Sequence, residues 1–128
     1  MSYYFSKTIS ATFDEAVKSV TNGLKEQGFG ILTEIDVKKT LKKKLDADFR
    51  RYVILGACNP PFAHKALHVE DKIGTLLPCN VIVQDKIDGS VEVAAIDPVA
   101  SMQAIDNAEL HEVAEIISKK LRTVIEAV

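Results

Sequence analysis

Two amphipathic helical stripes, one near each end of the chain, constrain most strongly what this sequence can fold into. The first stripe follows Thr12 and Glu15, a capping box whose side chains satisfy backbone donors at a helix start. Its apolar positions are Phe13, Val17, Val20 and Leu24. The second stripe follows Asp106 and Glu109, which repeat the capping pattern. Its apolar positions are Leu110, Val113, Ile117, Leu121, Val124 and Ile125. Each stripe needs an apolar surface to cover it.

Five segments rich in β-forming residues predict the strands that supply this surface. They are residues 2–10, 30–37, 52–55, 80–84 and 91–96. Asp88-Gly89, between the last two, is a strong hairpin signal. Both helical stripes are buried most simply on one face of one sheet. The sequence therefore predicts an α+β two-layer sandwich with a mainly antiparallel sheet of about five strands, two long helices on one face and short helices in the connections.

The size and charge of the chain limit the number of domains and the kinds of partner that it can have. The chain has 128 residues, which predicts a single domain over residues 1–128. Its net charge of −2 does not favour nucleic acid or an anionic membrane as a partner. No apolar run reaches the roughly 18 residues that a membrane-spanning helix needs. The N-terminal residues lack a basic segment followed by an apolar run, so we expect no signal peptide, a cytoplasmic location and two reduced thiols.

A basic segment follows the second predicted strand. Asp36 is placed to cap a short helix over Val37–Leu45, with Leu41 and Leu45 on its inner side. The segment's cations are Lys38, Lys39, Lys42, Lys43, Lys44, Arg50 and Arg51. These residues suit a solvated helix face, with a phosphate or acidic partner as the alternative. No aromatic residues interleave the lysines, which weakens the case for nucleic acid.

The stretch Gly56–Asn80 concentrates the unusual residues of the chain. It holds both cysteines, and each is followed by an asparagine, as Cys58-Asn59 and Cys79-Asn80. Cys58 ends one predicted strand and Cys79 begins the next. If these strands are antiparallel neighbours, as we expect, both pairs lie at one end of the sheet. The sequence thus predicts a ligand- or metal-binding site there, with His64 and Asp97 as further candidates.

Three interpretations of the cysteines stay open. In the first, Cys58 and Cys79 join His64 and His68, which are one helical turn apart, in a zinc site. In the second, Cys58 is a redox or sensing thiol, activated by the start of a helix at Pro60. In the third, both cysteines are small packing residues. Asn59 and Asn80 either form turns and caps or point their amides into a pocket.

The residues of this stretch also resemble a known family. The matching segments are Tyr52–Pro60, Ala63–Leu67, Ile73–Gly74, Leu76–Val81 and Ala95–Pro98. The chain resembles the domain-of-unknown-function family numbered 302 over essentially its whole length. The resemblance implies a compact α+β domain of bacteria and archaea, and it implies no activity and no catalytic residues.

Three hypotheses of function follow. The chain is a small ligand- or metal-binding domain, a thiol redox or sensing protein that uses Cys58, or a non-catalytic homodimeric interaction module. No nucleophile elbow, phosphate loop, dinucleotide fingerprint or paired-carboxylate pattern is found. Near the cysteines, Asp97 and His64 are the groups that could act as a base, which argues against general acid–base catalysis.

Overall fold

The computed structural model describes residues 2–128, and within them one sheet of five strands is combined with five helices. The strands are β1 (Tyr4–Ile9), β2 (Gly30–Asp36), β3 (Tyr52–Cys58), β4 (Cys79–Asp85) and β5 (Val91–Ile96). The helices are α1 (Phe13–Glu26), α2 (Val37–Leu45), α3 (Pro60–Val69), α4 (Pro98–Ser101) and α5 (Ala108–Ala127), with a 3-10 turn at Ile73–Leu76.

The sheet has the strand order β1-β5-β4-β3-β2, and all neighbouring strands are antiparallel. This confirms the predicted α+β architecture. It also confirms the antiparallel pairing of β3 with β4, so that Cys58 and Cys79 lie at the same end of the sheet.

One face of the sheet packs against α1 and α5. Alternate residues of the central strands point to this face, including Leu55, Val81 and Val93. Leu24 and Leu121 meet them from the two helices and are fully buried. Burial of each such leucine stabilises the fold by roughly 1.5–3 kcal/mol. Both predicted helical stripes therefore contribute to one hydrophobic core.

The starts of the two long helices agree with the sequence in one case and differ by a residue in the other. In α1, Thr12 and Glu15 form the predicted capping box, with both hydrogen bonds present. In α5, Asn107 and not Asp106 is the N-cap, because its side-chain oxygen accepts the Leu110 N–H at 3.1 Å. The Asn107 amide nitrogen also donates to the Val69 carbonyl at 2.7 Å, which joins the start of α5 to the end of α3.

A bulge in β2 places its residues on different faces of the sheet. Ile31 pairs with Ala57 and Thr33 pairs with Gly56, so Leu32 is an extra residue between them. Ile31 therefore packs against the core, while Thr33 belongs to the opposite face. Leu32 is left 65% exposed at the end of the sheet.

Leu45, which the sequence places on the inner side of α2, is exposed. All nine residues of α2 are exposed or half-buried, and Leu45 is 71% exposed, because α2 lies beside β2 and β3 at the sheet edge. Leu76 is also exposed, and Ile73 is the fully buried residue of its turn.

The second face of the sheet, called the open sheet face below, points away from α1 and α5. It carries a groove of about 380 Å³ lined by strand residues together with Tyr3. The residues of the open sheet face include Tyr52, Ile54, Ile82, Gln84, Glu92 and Ala94. Burial raises the pKa of Tyr52, and the nearby Arg50 opposes this effect.

Candidate functional site

A cavity of about 310 Å³ lies at the end of the sheet where β3 stops and β4 begins. Strand ends, α3 and the first half of α5 form its walls. The buried lining residues are Phe29, Ala57, Asn59, Ala66, Cys79, Pro98, Met102, Leu110, Val113, Ala114 and Ile117. Leu32 and Leu67 also line the cavity and are exposed, so they form its rim.

Small side chains explain why this space is unfilled. Ala57 on β3, Ala63 and Ala66 on α3 and Ala114 on α5 all line the cavity. Larger side chains at these positions would reach into the space that the alanines leave. Protein interiors contain few voids larger than a water molecule, so a space of this size is a specific feature of the fold.

The two cysteines lie at the same end of the sheet and both line the cavity. Cys79 pairs with Ala57, and both side chains point to the helix-covered face. Cys58 is the last residue of β3 and is half-buried. Both are free thiols that border the cavity. Burial raises the pKa of Cys79 to about 11, with a smaller contribution from Cys58, so its thiol is protonated at neutral pH.

Asn59 joins the cavity wall to the end of α1. It is 7% exposed, and its Nδ2 donates to the Gln27 carbonyl at 3.1 Å. Its side chain makes no capping hydrogen bond to α3, although it occupies the N-cap position. Gly28 has φ +86° and passes so close that a Cβ there would lie 3.3 Å from the Asn59 Nδ2. The amide thus fixes the α1–β2 turn against α3.

Replacing Asn59 by alanine is expected to lower the free energy of unfolding by about 1 kcal/mol, because the Gln27 carbonyl loses its buried donor. Urea denaturation followed by circular dichroism measures this change. Asn22→Ala, an exposed substitution on α1, is the matched control and should change stability by less than about 0.5 kcal/mol. An Asn59→Ala variant as stable as the wild type would contradict the anchoring role of the amide.

The structure does not bring Asn80 to the cavity. Asn80 pairs with Gly56 and is exposed in the groove of the open sheet face.

Asp97 follows β5 at the same sheet end as the cavity. Its Oδ1 accepts hydrogen bonds from the Val99 N–H at 3.0 Å and the Ser118 hydroxyl at 2.9 Å. Asp97 therefore caps α4 and ties it to α5.

The two histidines lie on the exposed side of α3. Their Nε2 atoms are 3.1 Å apart, and the rings meet edge to face. Ala63 and Leu67, which are also one turn apart, face the cavity in their place. The prediction that His64 and His68 share one side of a helix is confirmed, and neither histidine lines the cavity.

The four predicted zinc ligands are not assembled. Across residues 2–128, no group of three or more His, Cys, Asp or Glu side chains could hold a metal ion. The physical reason is orientation, since Cys79 points into the helix-covered core while His64 and His68 point to solvent. The geometry of residues 2–128 therefore does not support a zinc site at Cys58, Cys79, His64 and His68.

The basic segment contacts other parts of the fold as well as solvent. Arg51 forms an ion pair with Asp14 at 2.8 Å, and Lys42 forms one with Asp46 at 2.8 Å. These pairs are exposed and contribute little stability. The Lys38 ammonium donates to the Phe49 carbonyl at 2.9 Å. These contacts favour the solvated-face interpretation.

Part of the lining comes from residues that sequence analysis assigned only to the core. Leu110, Val113 and Ile117 belong to the predicted stripe of α5, and Met102 lies in the preceding turn. A helical stripe does not indicate which of its positions face another side chain and which face a void. The sequence feature that could have indicated the cavity is Ala114, a small residue beside this stripe.

Fold and site together define a small α+β sandwich with an apolar cavity at the end of an antiparallel sheet. The family model described as "Domain of unknown function DUF302" matches residues 5–128. The chain belongs to this family, which confirms the resemblance seen in its sequence.

The fold is also similar to that of a solved structure. An uncharacterised conserved DUF302 protein from Bacillus stearothermophilus superposes with a TM-score of 0.90 at 27% sequence identity. The match covers 98% of this chain and 97% of that chain. Among curated proteins, none matches this sequence.

Within residues 2–128, none of the helices combines the length and apolar character that crossing a bilayer requires.

Proposed function

We propose that this protein binds a small, uncharged and mainly apolar molecule in the cavity between α3, α5 and the end of the sheet. The observation that carries the proposal is the cavity itself, about 310 Å³ of space lined almost entirely by apolar side chains. Small-molecule sites are typically concave and apolar, with a few placed polar groups. Of the residues predicted to form a ligand site, Cys58, Asn59 and Cys79 line this cavity.

The volume of the cavity sets the size of the ligand. An apolar cavity of roughly 150 Å³ admits benzene, so a cavity about twice as large suits a molecule of roughly a dozen non-hydrogen atoms. A two-ring aromatic compound or a medium-length branched chain has this size.

The lining also sets the charge of the ligand. The residues around the cavity include no Asp, Glu, Lys, Arg or His within the described chain, and the Cys79 thiol is protonated at neutral pH. A charged group would lose its hydration without gaining a partner. Asn59 is the one side-chain amide among the described lining residues, and Gln27 occupies only its Nδ2. Its Oδ1 is therefore suited to accept a hydrogen bond from a ligand hydroxyl or N–H.

The proposal is tested with 2-naphthol, an uncharged two-ring compound with one hydroxyl donor. Isothermal titration calorimetry should show 1:1 binding by the wild type. We expect 2-naphthoate, which carries a carboxylate on the same rings, to bind at least tenfold more weakly because the cavity offers no counter-charge.

A matched pair of variants on α3 locates the binding. Ala63→Phe places a ring in the cavity and should weaken 2-naphthol binding at least tenfold. Lys65→Phe adds the same ring to the exposed side of α3 and should leave binding unchanged. No binding by the wild type at millimolar 2-naphthol, or equal binding by Ala63→Phe and Lys65→Phe, would overturn the proposal.

A further inference from the structure

A continuous apolar row crosses the open sheet face. Strand pairing sets Ala94 of β5 beside Ile82 of β4, and Ile82 beside Ile54 of β3. The row continues to Ile35 of β2, which is 47% exposed. Ile54 and Ile82 are half-buried and lie outside the core that α1 and α5 cover. Single exposed apolar residues are ordinary, but a contiguous row across four strands indicates a contact surface.

The residues around this row have the composition of a protein interface. All three tyrosines of the chain line the groove on this face. The Arg50 guanidinium lies over the Tyr52 ring, 5.5 Å from its centroid. Tyrosine and arginine are enriched at the centres of protein–protein contacts, where lysine is depleted. A protein surface is therefore the occupant that this face suits.

The charges on this face are arranged so that the face complements itself. Arg50 Nη2 donates to Gln84 Oε1 at 2.7 Å, and Gln84 Nε2 donates to Glu92 Oε1 at 2.8 Å. A cation and an anion thus flank β4, the cation beside β3 and the anion on β5. The Lys86 Nζ also lies 3.8 Å from Glu92 Oε1. A two-fold axis that runs along β4 between two facing sheets exchanges the β3 and β5 sides. Glu92 of one copy then meets Arg50 of the second copy, and the reverse pair forms by symmetry.

The sizes of the apolar side chains on this face are also complementary across the same two-fold axis. The axis places Ile54 of one copy over Ala94 of the second copy, while Ile82 meets its own symmetry mate. Ala94 is a small residue that lines the groove of this face. Each copy thus offers a large side chain to a small one on the other, which suits sheets packed about 10 Å apart.

We infer that the open sheet face is covered by a second copy of this chain, in a symmetric homodimer whose two-fold axis runs along β4. The contact is isologous and pairs Arg50 with Glu92 twice. The cavity lies on the other side of the sheet, beneath α3 and α5, so dimer formation leaves it accessible. This inference does not depend on ligand binding in the cavity.

Sedimentation velocity of the full chain between 1 and about 100 μM tests the inference. The wild type should sediment with twice the mass of the 14.0 kDa chain. Arg50→Glu and Glu92→Arg alone should each raise the dimer dissociation constant at least tenfold, because like charges meet at both symmetric positions. An equimolar mixture of the two variants should dimerise as the wild type does, because both pairs in the mixed dimer join unlike charges, one in the native arrangement and one with the charges exchanged.

Two controls separate the interface from general effects. Lys119→Glu, an exposed change on α5 with the same charge difference as Arg50→Glu, should not alter the mass. Ile82→Glu should give monomers, whereas Ile116→Glu on the exposed side of α5 should not. Circular dichroism of each variant identifies any that fail to fold, and the Ile82 and Ile116 pair then replaces the charge reversals. A monomeric wild type at 100 μM, a dimer unaffected by Ile82→Glu, or a mixture of folded charge variants that stays monomeric would overturn the inference.

Discussion

Replacing Gly56 by valine is expected to lower the free energy of unfolding by about 3 kcal/mol, and replacing it by alanine by about 1–2 kcal/mol. Any Cβ at this position would overlap the Thr33 hydroxyl and come within 2.8 Å of Pro78 Cγ. The Thr33 side chain can rotate away, but the proline ring cannot. A larger residue would gain roughly 0.5–1 kcal/mol from restricting the unfolded chain, which is less than the cost of the overlap.

Gly30 provides the control for this substitution. It lies in β2 and pairs with Cys58, and apart from its own atoms and those of its two chain neighbours, no atom of residues 2–128 lies within 4 Å of the position that its Cβ would take. Gly30→Val should therefore raise stability by roughly 0.5–1 kcal/mol, which is the gain from restricting the unfolded chain without an overlap. Adding Thr33→Ala to Gly56→Ala should recover part of the loss, because one of the two overlapping groups is removed. Urea denaturation measures all four variants, and equal stabilities of Gly56→Val and Gly30→Val would refute the steric explanation.

Raising the pH from 8 to 11 is expected to cost the wild type about 2–3 kcal/mol more stability than it costs Cys79→Ala. Burial raises the pKa of Cys79 to about 11 in the folded chain. In the unfolded chain the thiol ionises near its ordinary pKa of about 8.5. The unfolded state therefore loses its proton first as the pH rises. The contribution of the protonated thiol is fully present below about pH 8.5 and is lost progressively up to pH 11.

The comparison with Cys79→Ala isolates this thiol, because lysines and tyrosines titrate in both proteins and cancel in the difference. Denaturation at pH 8, 9, 10 and 11 gives the two stability curves. Cys58→Ala should retain most of the pH dependence, since burial is the main cause of the raised Cys79 pKa and Cys58 the lesser one. Parallel curves for the wild type and Cys79→Ala would show that Cys79 ionises equally in the folded and unfolded chains.

The two faces of the sheet have different proposed roles, ligand binding on the helix-covered face and dimer contact on the open sheet face. The helix-covered side holds the core and, at one end, the cavity with Asn59 and Cys79 on its wall. The open sheet face holds the apolar row with Arg50 and Glu92 beside it. The protonated Cys79 thiol fits an apolar binding site. The redox hypothesis for Cys58 stays a prediction, which its alkylation rate as a function of pH can test.

The Cys-Asn pairs show how far sequence reasoning reached. The antiparallel pairing of β3 with β4 was predicted correctly, and so was the shared sheet end of Cys58 and Cys79. The predicted cluster of four side chains is divided in the structure, because Cys79 pairs with Ala57 and Asn80 with Gly56. Consecutive residues of a strand point to opposite faces, so Cys79 and Asn80 are divided in any register. The register decides only which of the two faces the helices.

The amino-acid sequence by itself determined the two long helices, the capping box at Thr12, the hairpin at Asp88-Gly89 and the antiparallel α+β class. These features depend on local preferences and on periodic burial, both of which are written in consecutive residues. The tertiary structure alone decided the bulge at Leu32, the exposure of Leu45 and the cavity. Each of these depends on which residues of distant segments meet, and on how completely their side chains fill the space between them.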